Sequence, residues 1–158
     1  MDEAPGAAER ATRRVRLLGQ ASLALLVAQN LLGIGLNLYI SLPTPPTFVE
    51  VFVSVPLLTA HIAVAFALFG LAVVLVREAR RTGVPRATAL SALMLAFLTL
   101  AIQEGFAFTF TADNAFSLGM EVGFAGAFAS VALLLYRVGV GPIRAGEPRA
   151  GSEALPLP

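Results

Sequence analysis

The stretch Val53–Val76, VSVPLLTAHIAVAFALFGLAVVLV, is apolar almost throughout and carries the chain's single histidine, His61, near its middle. Its last 22 residues match the ~20 that a helix needs to cross a hydrocarbon core of ~30 Å. Working outward, three more runs of this kind appear, and the four are expected at about residues 17–40, 55–76, 87–110 and 115–136. None shows the period-2 alternation of a lipid-facing barrel strand, so backbone polarity has to be satisfied within helices. The composition agrees, with 57% hydrophobic and 13% charged residues in a chain of 158. Soluble domains are nearer half apolar and a quarter charged. The first run is about twice as long as a signal-peptide core and is followed by SLPTPP rather than a small-x-small cleavage site, so it reads as a retained anchor.

All 11 basic residues are arginine, and they set the orientation. Arg10, Arg13, Arg14 and Arg16 precede the first run; Arg77, Arg80, Arg81 and Arg86 lie between the second and third; Arg137, Arg144 and Arg149 follow the fourth. The other two connections have none, which by the positive-inside rule puts both termini in the cytoplasm. The fold expected is an all-α integral membrane four-helix bundle of the cell membrane, antiparallel and up-down-up-down. Residues 1–15 and 141–158 read as disordered cytoplasmic tails flanking a transmembrane domain at 16–140. Pro43, Pro45 and Pro46 end the first helix, and FVEVFVSV after them suggests a short interfacial segment. Gly83 is placed as a helix C-cap, Pro85 as a helix start, and Asp113 or Asn114 as the cap of the last helix.

Several chemistries are excluded. Without cysteine there are no disulfides, iron–sulfur clusters or thiolate metal sites. A net charge of +1, with arginines split among three segments, gives nucleic acid no surface. No G-x-S-x-G or phosphate-binding glycine loop occurs, and nothing else argues for an enzyme.

The informative residues are the polar ones within the apolar runs. Counted from the expected outer ends, His61, Glu104 and Glu121 each lie six residues in, ~9 Å below the boundary at 1.5 Å per residue. Asn37 is three residues in and Asn30 ten, with Gly33 between them on one helix face. Ser117 stands one turn above Glu121, and Met120 directly precedes it. The cytoplasmic half is expected to hold nothing comparable. Ionisable groups near the middle of a spanning helix cost ~2.5–3.5 kcal/mol and turn inward toward partners, so an outward-side polar pocket around His61 is expected.

Four readings of that pocket stand side by side. Polar residues hydrogen-bond across membrane helices as structural glue, which fits a non-catalytic accessory or assembly subunit of a membrane complex. Binding of haem b between His61 and Met120, or of another small ligand in the pocket, is a second reading, with electron transfer or binding as its function. In it Phe106, Phe108, Phe116 and Phe124 could contact the macrocycle, and Gly105, Gly119 and Gly123 leave room for it. A metal held by His61, Glu104 and Glu121 is a third. Proton or ion transport, the fourth, lacks a polar continuation through the cytoplasmic half. The small-xxx-small segment Gly119–Gly123 also offers a face for a homo-oligomer in the bilayer.

GLNLYISLP at the end of the first helix, LLTAHIAVAFALFG in the second, and GFAFTFTADNAFSLGM across the last turn resemble a functionally uncharacterised group of small four-helix bacterial and archaeal membrane proteins. The resemblance covers about Leu25 to Tyr136. It implies the same topology and draws attention to Asn37, His61, Ser117 and Met120, but implies no activity. The chain departs from the pattern at Gln103-Glu104-Gly105, where those sequences tend to read Asn-Gly, so the resemblance implies no role for Glu104.

Overall fold

The computed structural model describes residues 6–39, 55–111 and 113–139. They form four helices: α1 (Ala7–Tyr39), α2 (Pro56–Arg81), α3 (Pro85–Thr111) and α4 (Asn114–Gly139). Each is long and apolar enough to span a membrane. The expected interfacial segment and the C-terminal tail lie outside the described residues.

The helix ends follow from local chemistry. Prolines at the start of α2 and α3 cost no hydrogen bond there, because the first-turn N–H is unpaired in any helix. After α2, Gly83 takes φ = 70°, a left-handed conformation that glycine adopts without strain, and its N–H donates to the Arg80 carbonyl. Asp113 is the α4 cap: its Oδ1 accepts from the Ala115 N–H at 2.9 Å.

α1 differs from expectation. It begins at Ala7, so residues 7–15 are helical rather than a disordered tail. Ala11, Val15, Gly19, Ser22 and Leu26 are buried at intervals of three or four, a continuous face packed on the bundle. Arg14 and Arg16 flank that face and Arg13 lies opposite it, all three exposed. Hydropathy reports where a helix can meet lipid; packing decides where it stops, and here the packed face runs past the apolar run. The same holds for α2, where Glu78 and Ala79 are buried beyond the expected end at Val76.

The helices form a ring in which each touches its neighbours in sequence and α1 closes against α4, while the diagonal pairs do not meet. The α3–α4 seam is the tightest. A Cβ on Gly123 would fall 2.7 Å from the Ala101 nitrogen and 2.8 Å from the Phe97 oxygen, and one on Gly126 would strike the Phe97 ring. Gly119 is covered by the Glu104 side chain. These glycines let two backbones of the same chain approach, as small residues do in membrane helices. Gly119 and Gly123 thus have neighbours within the bundle itself.

Buried side chains concentrate in one half of the ring. Leu68, Ala72 and Leu75 of α2, Met94 and Leu98 of α3, and Ala127, Val131 and Leu134 of α4 join Val15 and Leu26 in one core cluster. Since lipid tails are as apolar as leucine, what holds such a core is close packing rather than escape from water. At its far end Glu78, its side chain 9% exposed, meets Arg81 at 2.6 Å and Arg14 at 3.7 Å. Arg16 donates to the Val138 carbonyl at 2.9 Å and so ties α1 to the last turn of α4. The expectation that this half lacks notable polar groups therefore does not hold. Glu78 lies two residues past the apolar run, where counting from the opposite boundary could not weigh it.

Candidate functional site

The other half of the ring is hollow. All four helices line a cavity of about 410 Å³, within the ~300–1,000 Å³ range of small-molecule sites. Of the residues singled out by depth, Asn30, Asn37, His61, Ser117, Met120 and Glu121 all line it. Glu104 does not; its carboxyl packs over Gly119 at the α3–α4 seam. Sequence depth gave all three ionisable groups one level, but rotation about the helix axis separates Glu104 from the others.

His61 is the best-defined polar group. Its Nε2 lies 3.1 Å from the Gln29 side-chain nitrogen, a hydrogen bond from α2 to α1. Gly33, one turn above Gln29, makes space for the ring: a Cβ there would sit 3.3 Å from His61 Cε1. Sequence reading passed over Gln29 in favour of its neighbour Asn30. The available signal was the spacing Gln29, Gly33, Asn37, four residues each, which stacks the three side chains along one helix face.

The pair is incompletely satisfied. His61 Nδ1 and Gln29 Oε1 are buried without a hydrogen-bond partner among the described residues, as is Ser22 Oγ two turns below Gln29. If the Gln29 amide donates to Nε2, then Nδ1 keeps its proton as an orphan donor and Oε1 is an orphan acceptor. With the amide turned over, Nε2–H donates to Oε1, Nδ1 becomes the acceptor and the amide NH2 the donor. Either way one donor and one acceptor are left. Buried polar groups of this kind cost ~1–3 kcal/mol each unless something pairs with them.

The remaining wall is largely apolar and aromatic. Phe66 of α2 and Phe106 of α3 face each other with ring centroids 6.2 Å apart and planes tilted 53°. Phe108 and Phe124 also line the cavity, whereas Phe116 does not. Met120 lies against Gly105, its sulfur 3.3 Å from where a Cβ would be.

This geometry weighs differently on the cofactor readings. Among the described residues no three His, Asp or Glu side chains cluster, so the His61, Glu104 and Glu121 metal set is not assembled. For haem, His61 and Met120 do share the cavity, but the room expected at Gly119 and Gly123 is filled by Glu104, Ala101 and Phe97. No family model, curated protein or solved structure matches the chain.

Proposed function

We propose that this protein is a multi-pass cell-membrane protein that binds a small, mostly apolar ligand with hydrogen-bonding atoms in the cavity around His61. The observation that carries the reading is the unpartnered donor and acceptor of the His61–Gln29 pair, buried beside a cavity drawn from four helices. An aromatic wall with a few convergent polar groups is the usual make-up of a small-molecule site.

The bundle is antiparallel in this reading, with both termini cytoplasmic and the cavity on the outward side. Three-residue and two-residue connections after α2 and α3, together with contacts from Arg14 to Glu78 and from Gln29 to His61, support the up-down order. The arginine distribution supports the orientation. Kinship with the small four-helix membrane proteins is part of the proposal and rests on the sequence motifs around Asn37, His61, Ser117 and Met120.

Haem b is one admissible occupant. His61 and Met120 would hold it, and it would supply one-electron chemistry when bound; Gln29 would orient the imidazole through the other ring nitrogen. The second reading, an accessory subunit in which the His61–Gln29 bond is only interhelical glue, draws on that same bond. Solvent extraction of the purified protein, followed by mass spectrometry and an absorption spectrum, decides between them. The ligand reading requires a stoichiometric small molecule that is missing from His61→Leu, with a Soret band if it is haem. Identical extracts from protein and variant would leave the glue reading.

A further inference from the structure

The cavity reaches the side of the bundle. On the outside, between α1 and α4, runs a groove lined by Val27, Leu31, Ala125 and Phe128, together with Asn30, Glu121 and Phe124. The last three also line the cavity, so groove and cavity meet at those side chains.

The seam is built unevenly. α1 and α4 are joined near Glu78, where Arg16 reaches Val138 and where Gly19 lies under Leu135, so close that a Cβ would fall 2.9 Å from Leu135 Cδ2. Toward His61 the same two helices leave the groove between them, with Val27, Leu31 and Phe128 exposed along it. On a helix that spans a membrane these side chains face lipid. Asn30 and Glu121 stand among them, exposed, where a polar group is costly and marks a path or a binding function.

We infer that this groove is a lateral portal from the bilayer, and that the ligand is a lipid-soluble molecule with a hydroxyl-bearing ring on a hydrocarbon tail. The ring lies against the aromatic wall that Phe66 and Phe106 form together, and its hydroxyl both donates and accepts, as the orphaned atoms of His61 and Gln29 require. The tail leaves past Asn30 and Glu121 between α1 and α4. The inference rests on the ligand-binding reading of the cavity and adds the route and the chemical class.

The chain has no tryptophan, so Phe106→Trp creates a single fluorescent reporter in the cavity wall. In lipid vesicles, 2-bromo-4-decylphenol should quench it saturably, and adding His61→Leu with Gln29→Leu should weaken that binding about tenfold. Ala125→Phe fills the groove from α4 and Val27→Phe fills it from α1 without adding a second fluorophore; neither position lines the cavity. Each should slow quenching by bromodecylphenol about tenfold, while 2-bromophenol, which has no tail to pass, stays within about twofold of its original rate. Equal effects on both phenols, or none on either, would overturn the portal while saturable quenching kept the ligand site standing. Absence of saturable quenching in the reporter protein, or quenching indifferent to the His61 and Gln29 substitutions, would overturn the ligand site as well.

Discussion

The two halves of this bundle are made of the same helices and solve different problems. Around Leu68, Met94 and Val131 the ring is filled, and its polar ends are paired through Glu78 with Arg14 and Arg81. Around His61 the same ring surrounds a cavity, and the His61–Gln29 pair beside it keeps a donor and an acceptor unpartnered; in the packed half only Ser22 Oγ is left so among the described residues. A chain under selection for packing alone has no reason to stop halfway. The filled half fixes the helices in relation to one another, and the hollow half uses that rigidity to hold polar groups around an open space. On the proposed ligand-binding reading the two halves should respond differently: substitutions in the first should cost folding, those in the second occupancy.

The sharpest way to break the comparison is at the α3–α4 seam. Gly123→Leu drives a side chain into the backbone of Ala101 and Phe97, which cannot yield as a flexible side chain does. It should cost more than the ~1–3 kcal/mol of ordinary overpacking and abolish cooperative unfolding in detergent. Gly70→Ala is the control, since a Cβ there meets nothing within 4 Å; it should leave the melting temperature unchanged or slightly raised. A wild-type-like melt for Gly123→Leu would mean that the seam is not closed as described.

The ion cluster should respond asymmetrically. Glu78 is nearly buried, whereas the Arg14 and Arg81 side chains are 63% and 48% exposed. Removing both arginines strands a buried carboxylate and should cost up to ~3 kcal/mol, while Glu78→Gln leaves two solvated guanidinium groups and should cost ~1 kcal/mol or less. Equal losses in chemical denaturation would show that water already reaches Glu78.

In the hollow half the effects on stability should be small. His61→Leu or Gln29→Leu each removes one interhelical hydrogen bond, worth ~0.6 kcal/mol on average in membranes. The double variant removes the orphaned atoms as well and should be no less stable than either single one, although emptied of ligand. A loss of several kcal/mol in the double variant would move His61 from the site to the scaffold.

Labelling sharpens the same division without disturbing it. Since the chain has no cysteine, Asn114→Cys and Val84→Cys are clean single markers of the two ends. An impermeant maleimide on intact cells should modify the first and spare the second; the reverse would put the cavity on the cytoplasmic side.

Much of the filled half's outline was legible in the sequence, because spans, caps and turns depend on near-neighbour chemistry: Gly83, Pro85 and Asp113 act as their residue types require. Counting depth also pointed to His61 and Glu121, which both line the cavity. Rotation was not legible. Whether Glu104 faces the cavity or the α3–α4 seam depends on Gly119, which lets the carboxyl settle against the neighbouring helix, and Gln29 outranks Asn30 as the partner of His61 only once α1 and α2 are docked. The length of α1 was hidden for a related reason, because Ala11 and Val15 belong to a packed face rather than to an apolar run.

The closure of α1 against α4 also bears on how the molecule is made. Arg16 must wait for Val138, 122 residues later in the chain, before its guanidinium finds a carbonyl. The α1–α2 pair is joined by the His61–Gln29 bond and the α3–α4 pair by its own glycine seam, so neither of these contacts needs the other pair. The cavity, lined by all four helices, does not exist in either pair alone. It comes into being at the moment the two dock, which makes an occupied site a report that assembly is complete.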